Sequence, residues 1–455
     1  MLPRDWEESP DAALFTDLYA LTMLQAYFRE GMEDVAVFDF FVRRLPKGWN
    51  YLVACGVADV LDYLENLTFS IGALGFLAEL GSFSPDFLNY LADFRFAGNV
   101  YALPEGTVAF PLEPLVEVEA PLPQAQLIET LLINQVHFQT LMASKAARVV
   151  HAAQGATVVD FGSRRAHGID SAVKGARAFH VAGISATSNV LAGKRYGIPV
   201  RGTMAHSYIQ AHADELEAFR QFASLYPDTV LLVDTYDTLA GVKKIVTLAR
   251  ELGDAFRVRA IRLDSGDLEE FARTSRCILD DAGLHHVEIF ASNSLDEYAI
   301  SRLISRGTPI DGFGVGTRMS VSSDAPTLDC AYKLVSYGGR GRMKLSAGKS
   351  SLPGRKQVYR FQEGGTYMRD LIALADEDVP GGTPLLVPVM REGKRLPVDH
   401  SDLATARERA WQQRQTLPPR LHALKTADPP YPVEVSAALA SERERLRAAL
   451  VQQSE

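Results

Sequence analysis

Short apolar runs recur between residues 157 and 317, each closed by a polar cluster. The runs cover 157–159, 198–200, 230–233, 258–261, 287–290 and 312–315 and are rich in Val and Ile. Such runs are too short for helices and favour buried, extended backbone. Between them the apolar positions take up helical spacing, as over 238–252 and 267–282. Strands separated by roughly 25 to 40 residues, with a helix between, are the crossover units of a parallel sheet. The polar clusters over 160–165, 202–207, 234–237, 262–267, 291–294 and 314–317 all fall where a strand ends. Active sites of parallel α/β folds assemble at those ends. Six loaded ends in succession predict a TIM-like barrel rather than an open sheet, which gathers its chemistry at one switch point.

Upstream, Thr16 or Asp17 can cap an apolar helical pattern that runs to Phe28, with Tyr19 in its first turn. Residues 35–42 read as a strand that delivers Arg43, Arg44 and Lys47 into a turn. A helix over 57–67, a helical region ending near Asp93 and short strands near Val100, Val108 and 115–118 make this an α+β segment, and 124–153 reads as one long buried helix. Beyond 317, residues 327–335 read as another strand with Lys333 facing the barrel mouth, and 338–356 as a basic, Gly-rich loop. Residues 385–389 can return a strand to the first domain, and 433–450 read as a charged surface helix. The expected fold is therefore α/β: a TIM-like α/β barrel over 154–356, plus an α+β domain over 1–153 to which 357–455 returns.

At 455 residues the chain exceeds one ordinary core. Its 47 basic and 56 acidic residues give a net charge of −9, which argues against a general nucleic-acid binder and requires any anion site to be local. Cys55, Cys277 and Cys330 lack paired spacing, so they suggest neither a disulfide framework nor a zinc site and fit a reducing cytoplasm. Residues 1–8 lack the basic and apolar regions of a signal peptide, and no apolar run reaches membrane-spanning length.

The first polar cluster supplies a ring, a flexible Gly and two guanidiniums in Phe161, Gly162, Arg164 and Arg165, a set suited to a flat anion that must be stacked and paired. Solvated loop charge is the competing explanation. The second cluster brings Thr203, His206 and Ser207 together. His206 can be a general base or a nucleophile toward phosphate; with no second His at ligand spacing, a metal site is not expected. Arg262 and Asp264 alternate onto one face of extended backbone. Arg262 suits a carboxylate or phosphate, and Asp264 suits ribose hydroxyls or Mg²⁺ held through water; a salt bridge, with Asp267 as a helix cap, is the alternative. The stretch Gly312-Phe313-Gly314-Val315-Gly316-Thr317 leaves backbone N–H groups unobstructed, as a phosphate monoester needs. Together these residues ask for a phosphorylated sugar, an aromatic anion and a histidine close to both, without specifying the reaction.

The motifs Thr16-Asp17-Leu18-Tyr19, Phe161-Gly162-Ser163-Arg164-Arg165, Ser188-Asn189-Val190-Leu191-Ala192, Gly202-Thr203-Met204-Ala205-His206-Ser207, Arg262-Leu263-Asp264-Ser265-Gly266-Asp267, Ala291-Ser292-Asn293, Gly314-Val315-Gly316-Thr317 and Leu352-Pro353-Gly354 occur in that order. In them the chain resembles the nicotinate phosphoribosyltransferase family over nearly its whole length. The resemblance implies a type II phosphoribosyltransferase, an irregular α/β barrel joined to a domain built from both ends of the chain and working as a homodimer. It implies that nicotinate and phosphoribosyl pyrophosphate give nicotinate mononucleotide and pyrophosphate, coupled to ATP hydrolysis, with Mg²⁺ accompanying pyrophosphate or ATP, in NAD salvage.

Carried onto this sequence, the resemblance makes Phe161 and the partner subunit's Tyr19 the two walls of a pyridine sandwich. Arg262 and Thr203 would contact nicotinate, Arg164 would complete the anion pocket, Asp264 would hold the ribose, and Gly316 with Thr317 would hold the 5′-phosphate. Arg43 and Lys333 match basic positions near the pyrophosphate, and Asp17, Ser207, Ser265 and Gly314 fall within the substrate-binding motifs. His206 matches the histidine that this family phosphorylates transiently from ATP; with Arg262 and Asp264 it forms the expected catalytic set. Ser185 stands where many relatives, including users of the amide, carry Asp, and losing that carboxylate disfavours the nicotinamide NH₂ group. The rival readings are a nicotinamide-using relative and a barrel that binds a phosphosugar without turnover. An aldolase-like or hydrolytic barrel would want a buried Schiff-base lysine or a metal cluster.

Overall fold

A computed structural model describes residues 9–345, 351–397 and 402–454. The chain forms two compact units: Lys145–Pro326, and a second made from the chain before Lys145 and the chain after Pro326.

In the first, six short strands form one parallel sheet in the order Ala186–Thr187, Thr157–Asp160, Gly312–Val315, Glu288–Ser292, Ala260–Leu263 and Val230–Leu232. Strand interiors such as Leu231, Ile261, Ile289 and Phe313 are fully buried, as the continuous apolar runs of a parallel sheet require. The first and last of the predicted strands are neighbours, with Val159 opposite Gly314, as in a closing barrel. Closure is incomplete, because Ala186–Thr187 and Val230–Leu232 are the two edges of the sheet. The run 198–200, expected as a strand, contributes one bridge, Val200 to Thr187. Pro199 has no N–H for a ladder, and Gly197 turns the chain at φ 68° just before it. The strand that takes its place, Ala186–Thr187, is two residues long and too short to leave an apolar pattern. Residues 202–205 therefore run as irregular backbone at the open seam.

Aspartates start the helices that follow the strands. Asp237 accepts from Ala240 N–H at 2.7 Å ahead of Thr238–Leu252, Asp267 from Glu269 and Glu270 N–H at 3.0 and 3.1 Å ahead of Leu268–Asp281, and Asp296 from Ala299 N–H at 2.8 Å ahead of Glu297–Ser305. Asp267 is thus a cap, which leaves Arg262 and Asp264 as the functional candidates of their cluster.

The other unit is built on a seven-stranded antiparallel sheet in the order Arg340–Gly341, Asp329–Tyr337, Val35–Arg44, Pro114–Pro121, Asn99–Ala102, Val387–Arg391 and Lys394–Arg395. A four-stranded sheet of Thr383–Pro384, Lys356–Glu363, Thr366–Leu374 and Val433–Val435 accompanies it. Val387–Arg391 pairs with Asn99–Ala102, so the chain does return to its first domain there.

Residues 327–335 do not form the barrel strand expected of them. Asp329–Tyr337 pairs antiparallel with Val35–Arg44, which moves the unit boundaries to 144/145 and 326/327 from the expected 153/154 and 356/357. An apolar run suits a central antiparallel strand as well as a parallel one, and its spacing does not name its partner. Lys333 stands opposite Asp39 in that ladder and belongs to this sheet. The expected helix over 124–153 is two, Leu122–Leu127 and Glu129–Ala152, and 433–450 opens with the strand Val433–Val435 before the helix Ala437–Ser454. Residues 1–8 and the middle of the basic loop, 346–350, lie outside the described residues. Among the described residues no helix is long and apolar enough to cross a membrane. Cys55, Cys277 and Cys330 form no disulfide.

Candidate active site

The carboxyl ends of the parallel strands open onto a cavity of about 600 Å³. Five of the six polar clusters line it; the sixth, 234–237, anchors lining residues of two others.

One wall is aromatic. Phe161 follows Thr157–Asp160 directly, and its N–H donates to Val315 O at 2.8 Å, continuing the ladder one residue beyond the strand. The Phe161 ring lies 6.0 Å from that of Phe290, tilted by 53°. It also lies against Gly314, where a Cβ would sit 2.6 Å from both ring carbons Cδ2 and Cε2. Glycine at 314 is therefore what allows the ring its place, since a real Cβ cannot approach so closely. Behind Phe161, the Asp160 carboxylate is 1% exposed and accepts from Gly162 N–H and Thr187 Oγ1–H, each at 2.8 Å. Burial raises its pKa to about 6 against the pull of these two bonds.

A second wall carries the guanidinium of Arg262. Its Nη1 donates to Thr203 Oγ1 at 2.5 Å and its Nη2 to Met204 O at 3.1 Å, so the irregular backbone at the seam is held by this side chain. Its Nε is buried with no hydrogen-bond partner. Burial lowers the Arg262 pKa, Asp264 and Asp234 raise it, and Arg164 lowers it; a guanidinium remains a cation throughout. An oriented cation with an unspent buried donor is suited to a planar carboxylate.

Opposite stands a polar network. Asp264 receives Ser292 Oγ–H at Oδ1 and faces His206 Nε2 with Oδ2 at 3.5 Å. The other ring nitrogen of His206 lies 3.1 Å from Thr235 Oγ1. Asp234 Oδ2 accepts both Asp264 N–H at 2.7 Å and Ser265 Oγ–H at 2.6 Å, while its Oδ1 is buried without a partner. Beyond Ser292 the chain passes through two non-glycine residues of positive φ, Asn293 at 115° and Ser294 at 51°, both lining the cavity. Such backbone costs of order 1–3 kcal/mol per residue and persists where surrounding structure enforces it, commonly at active sites.

Of the residues expected from the sequence, Phe161, Arg164, Thr203, His206, Arg262, Asp264, Gly314, Gly316 and Thr317 line this cavity. Ser207 and Ser265 do not; Ser207 lies in the helix His206–Gln210, and Ser265 is bonded to Asp234. Ser185 is also absent from the lining; its N–H donates to Val158 O at 2.9 Å. Asp17, Tyr19, Arg43 and Lys333 belong to the other unit. There, Asp17 occupies the cap position of Leu18–Glu30, yet its carboxylate accepts from Thr130 Oγ1–H at 2.7 Å instead of from a helix N–H. Tyr19 is 46% exposed, its phenol pushed up to about 12 by partial burial and by Glu129. Arg43 pairs with Asp329 at 3.0 Å.

Asp160, Ser163, Asp234, Thr235 and Ser292 take part without having been assigned a role from sequence. All five sit at or just beyond the ends of predicted strands, which is the one signal that marks them. Among the described residues no three His, Cys, Asp or Glu side chains group closely enough to hold a metal.

Two family models match: the nicotinate phosphoribosyltransferase N-terminal domain over residues 14–137 and the nicotinate phosphoribosyltransferase family over 156–344. A nicotinate phosphoribosyltransferase of Mycobacterium tuberculosis is 54% identical over 435 residues, covering 96% of this chain and 94% of that protein. One from Bacillus subtilis is 44% identical over 377 residues, covering 81% and 77%. Among solved structures, human nicotinic acid phosphoribosyltransferase superposes with a TM-score of 0.83 at 29% identity, covering 95% of this chain and 99% of that one. With the family model spanning the whole cavity and a relative at this identity over nearly its full length, the chain belongs to the nicotinate phosphoribosyltransferase family.

Proposed function

We propose that this chain joins nicotinate to the phosphoribosyl group of phosphoribosyl pyrophosphate, giving nicotinate mononucleotide and pyrophosphate in NAD salvage, at the expense of ATP. What supports this most is Arg262, a half-buried cation with an unspent Nε donor in a cavity that also holds a ring wall at Phe161. A pyridine carboxylate meets both needs at once.

In this arrangement Arg262 and Thr203 take the carboxylate, Phe161 stacks on the ring, and Arg164 adds positive charge at the cavity rim. Asp264 accepts from the ribose hydroxyls, and the N–H groups around Gly314, Gly316 and Thr317 take the 5′-phosphate. The ring nitrogen attacks the anomeric carbon; the C–N bond forms as the C–O bond to pyrophosphate breaks, through an oxocarbenium-like state that the Asp264 carboxylate faces. With one carboxylate offered to the cavity and no grouped metal ligands among the described residues, the donor set fits Mg²⁺ carried by pyrophosphate rather than held by protein alone. When bound there, Mg²⁺ neutralises charge on the leaving group.

ATP enters through His206. A ring nitrogen attacks the γ-phosphorus, the N–P bond forms as the P–O bond to ADP breaks, and water later releases phosphate. The phosphohistidine adds close to two negative charges beside Asp264. The proposal also includes a cytoplasmic homodimer in which the partner subunit's Tyr19 completes the sandwich and Arg43 and Lys333 serve the pyrophosphate. The exposed apolar side chains of Phe15, Leu18 and Tyr19 support a covered surface there.

With phosphoribosyl pyrophosphate, Mg²⁺ and ATP supplied, nicotinate should give mononucleotide far faster than nicotinamide; equal or reversed rates overturn the assignment. Labelled γ-phosphate should appear on the protein and vanish in His206→Ala. A variant labelled like the wild type would remove His206 from the ATP route, and a barrel that only binds a phosphosugar would turn over neither base.

A further inference from the structure

Asp160 is buried at 1% exposure, and both its oxygens are spent on neutral donors. Oδ1 accepts Gly162 N–H and so closes a two-residue loop around Phe161, whose own N–H is fixed to Val315 O. Oδ2 accepts the Thr187 hydroxyl, which in turn accepts Asn189 N–H at 3.0 Å, while Asp160 O accepts Ser188 N–H at 2.9 Å. One carboxylate thereby locks together the ends of two adjacent strands, from which Phe161 and Ser188 project to line the same cavity. Gly162 cannot drift in response, because a side chain there would overlap Ser320 and the position is packed against it. An isosteric apolar residue would cost less to bury than a carboxylate held by neutral donors. What the carboxylate gains is direction: it needs both N–H and O–H aimed at it, and so fixes the backbone on either side of Phe161.

We propose that Asp160 is a positioning residue for the substrate ring, holding Phe161 and Ser188 in register through Gly162 N–H and Thr187 Oγ1. This rests on the stacking role given to Phe161 above. Asp160 touches no substrate in this scheme; it acts through the residues on either side of it.

The test pairs kinetics with a probe that needs no substrate. Asp160→Asn keeps the shape but turns one acceptor into a donor. It should raise the KM for nicotinate by about tenfold, as expected for one lost charge-assisted bond, with the KM for phosphoribosyl pyrophosphate changed less than about twofold. Thr187→Val should move the same parameter in the same direction by less, and Thr187→Ser, which keeps the hydroxyl, should restore it. Fluorine NMR of 4-fluorophenylalanine placed at position 161 should give one sharp resonance in the otherwise native protein and a shifted or broadened one with Asp160→Asn. A nicotinate KM unchanged in a folded Asp160→Asn protein, an equal rise in both KM values, or an unmoved fluorine resonance would overturn the inference. The fluorine result stands even if nicotinate proves not to be the substrate, so the two ideas fail separately.

Discussion

His206 Nε2 lies 3.5 Å from Asp264 Oδ2, and Thr235 Oγ1 lies 3.1 Å from the opposite ring nitrogen. The imidazole is thus held between a carboxylate that also lines the cavity and a hydroxyl that fixes its rotation. Asp264→Asn is expected to lower kcat by about 10²-fold, on the scale of removing one preorganised charge from a transition state. Thr235→Val should leave the nicotinate KM within about twofold and slow labelling of His206 by several-fold, since it frees the ring to rotate. Steady-state kinetics and a labelling time course measure the two; equal effects on both readouts would mean that Thr235 acts only through stability.

Gly314→Ala places a methyl group 2.6 Å from two ring carbons of Phe161. The ring must move, because the alternative is to shift a central strand of the sheet. The expected result is a rise of about tenfold in nicotinate KM and a loss of about 1–3 kcal/mol in unfolding free energy. Denaturant titration beside kinetics would refute this if neither changed.

Arg262→Lys keeps the charge and loses the fork. Lysine cannot reach Thr203 Oγ1, Met204 O and a substrate carboxylate together, so nicotinate kcat/KM should fall by about 10²-fold or more. Turnover of nicotinamide, which has no carboxylate to lose, should fall less. Parallel assays of the two bases decide the matter, and an equal fall would take Arg262 out of carboxylate recognition.

The buried carboxylate of Asp160 sets a pH-dependent cost. Its pKa rises from 3.8 to about 6, mainly by desolvation, so between those values the folded chain binds a proton that the unfolded chain does not. Stability from this group is therefore highest near pH 4 and falls as pH rises toward 6, by roughly 3 kcal/mol in all. Asp160→Asn escapes that cost while losing a bond, so its Tm at pH 7.5 should equal or exceed the wild-type value by about 2–4 °C, and the gap should close toward pH 4. A variant less stable than wild type at pH 7.5, with the deficit unchanged at pH 4, would show that the carboxylate is stabilising as a charge.

The parallel unit was legible because its signal is repetitive: five of the six predicted runs are strands, and each is followed by the polar cluster that lines or supports the cavity. The sixth, 198–200, misled because Ile and Val flanking Pro199 look extended whether or not they pair, while Ala186–Thr187 is too brief to register. Arg262 and His206, which line the cavity, stood out by residue type. Asp160, Asp234 and Thr235, which are bonded behind the lining, look like any polar residue near a strand end until their partners are known. The placement of Asp329–Tyr337 was not legible at all, since a strand's spacing fixes its faces but not its neighbour.

The parallel unit is a continuous length of chain, whereas the sheet unit is completed only by residues on its far side. Val35–Arg44, whose residues from Ala36 to Val42 are all buried in the finished fold, waits for Asp329–Tyr337; Arg43 and its ion-pair partner Asp329 are 286 residues apart. At synthesis rates of roughly 5–20 residues per second, that is a wait of about 15–60 s. During it one long edge of an apolar strand emerges from the ribosome without its closing neighbour, exposed to chaperones or to other nascent copies, while the catalytic unit has already been made in full.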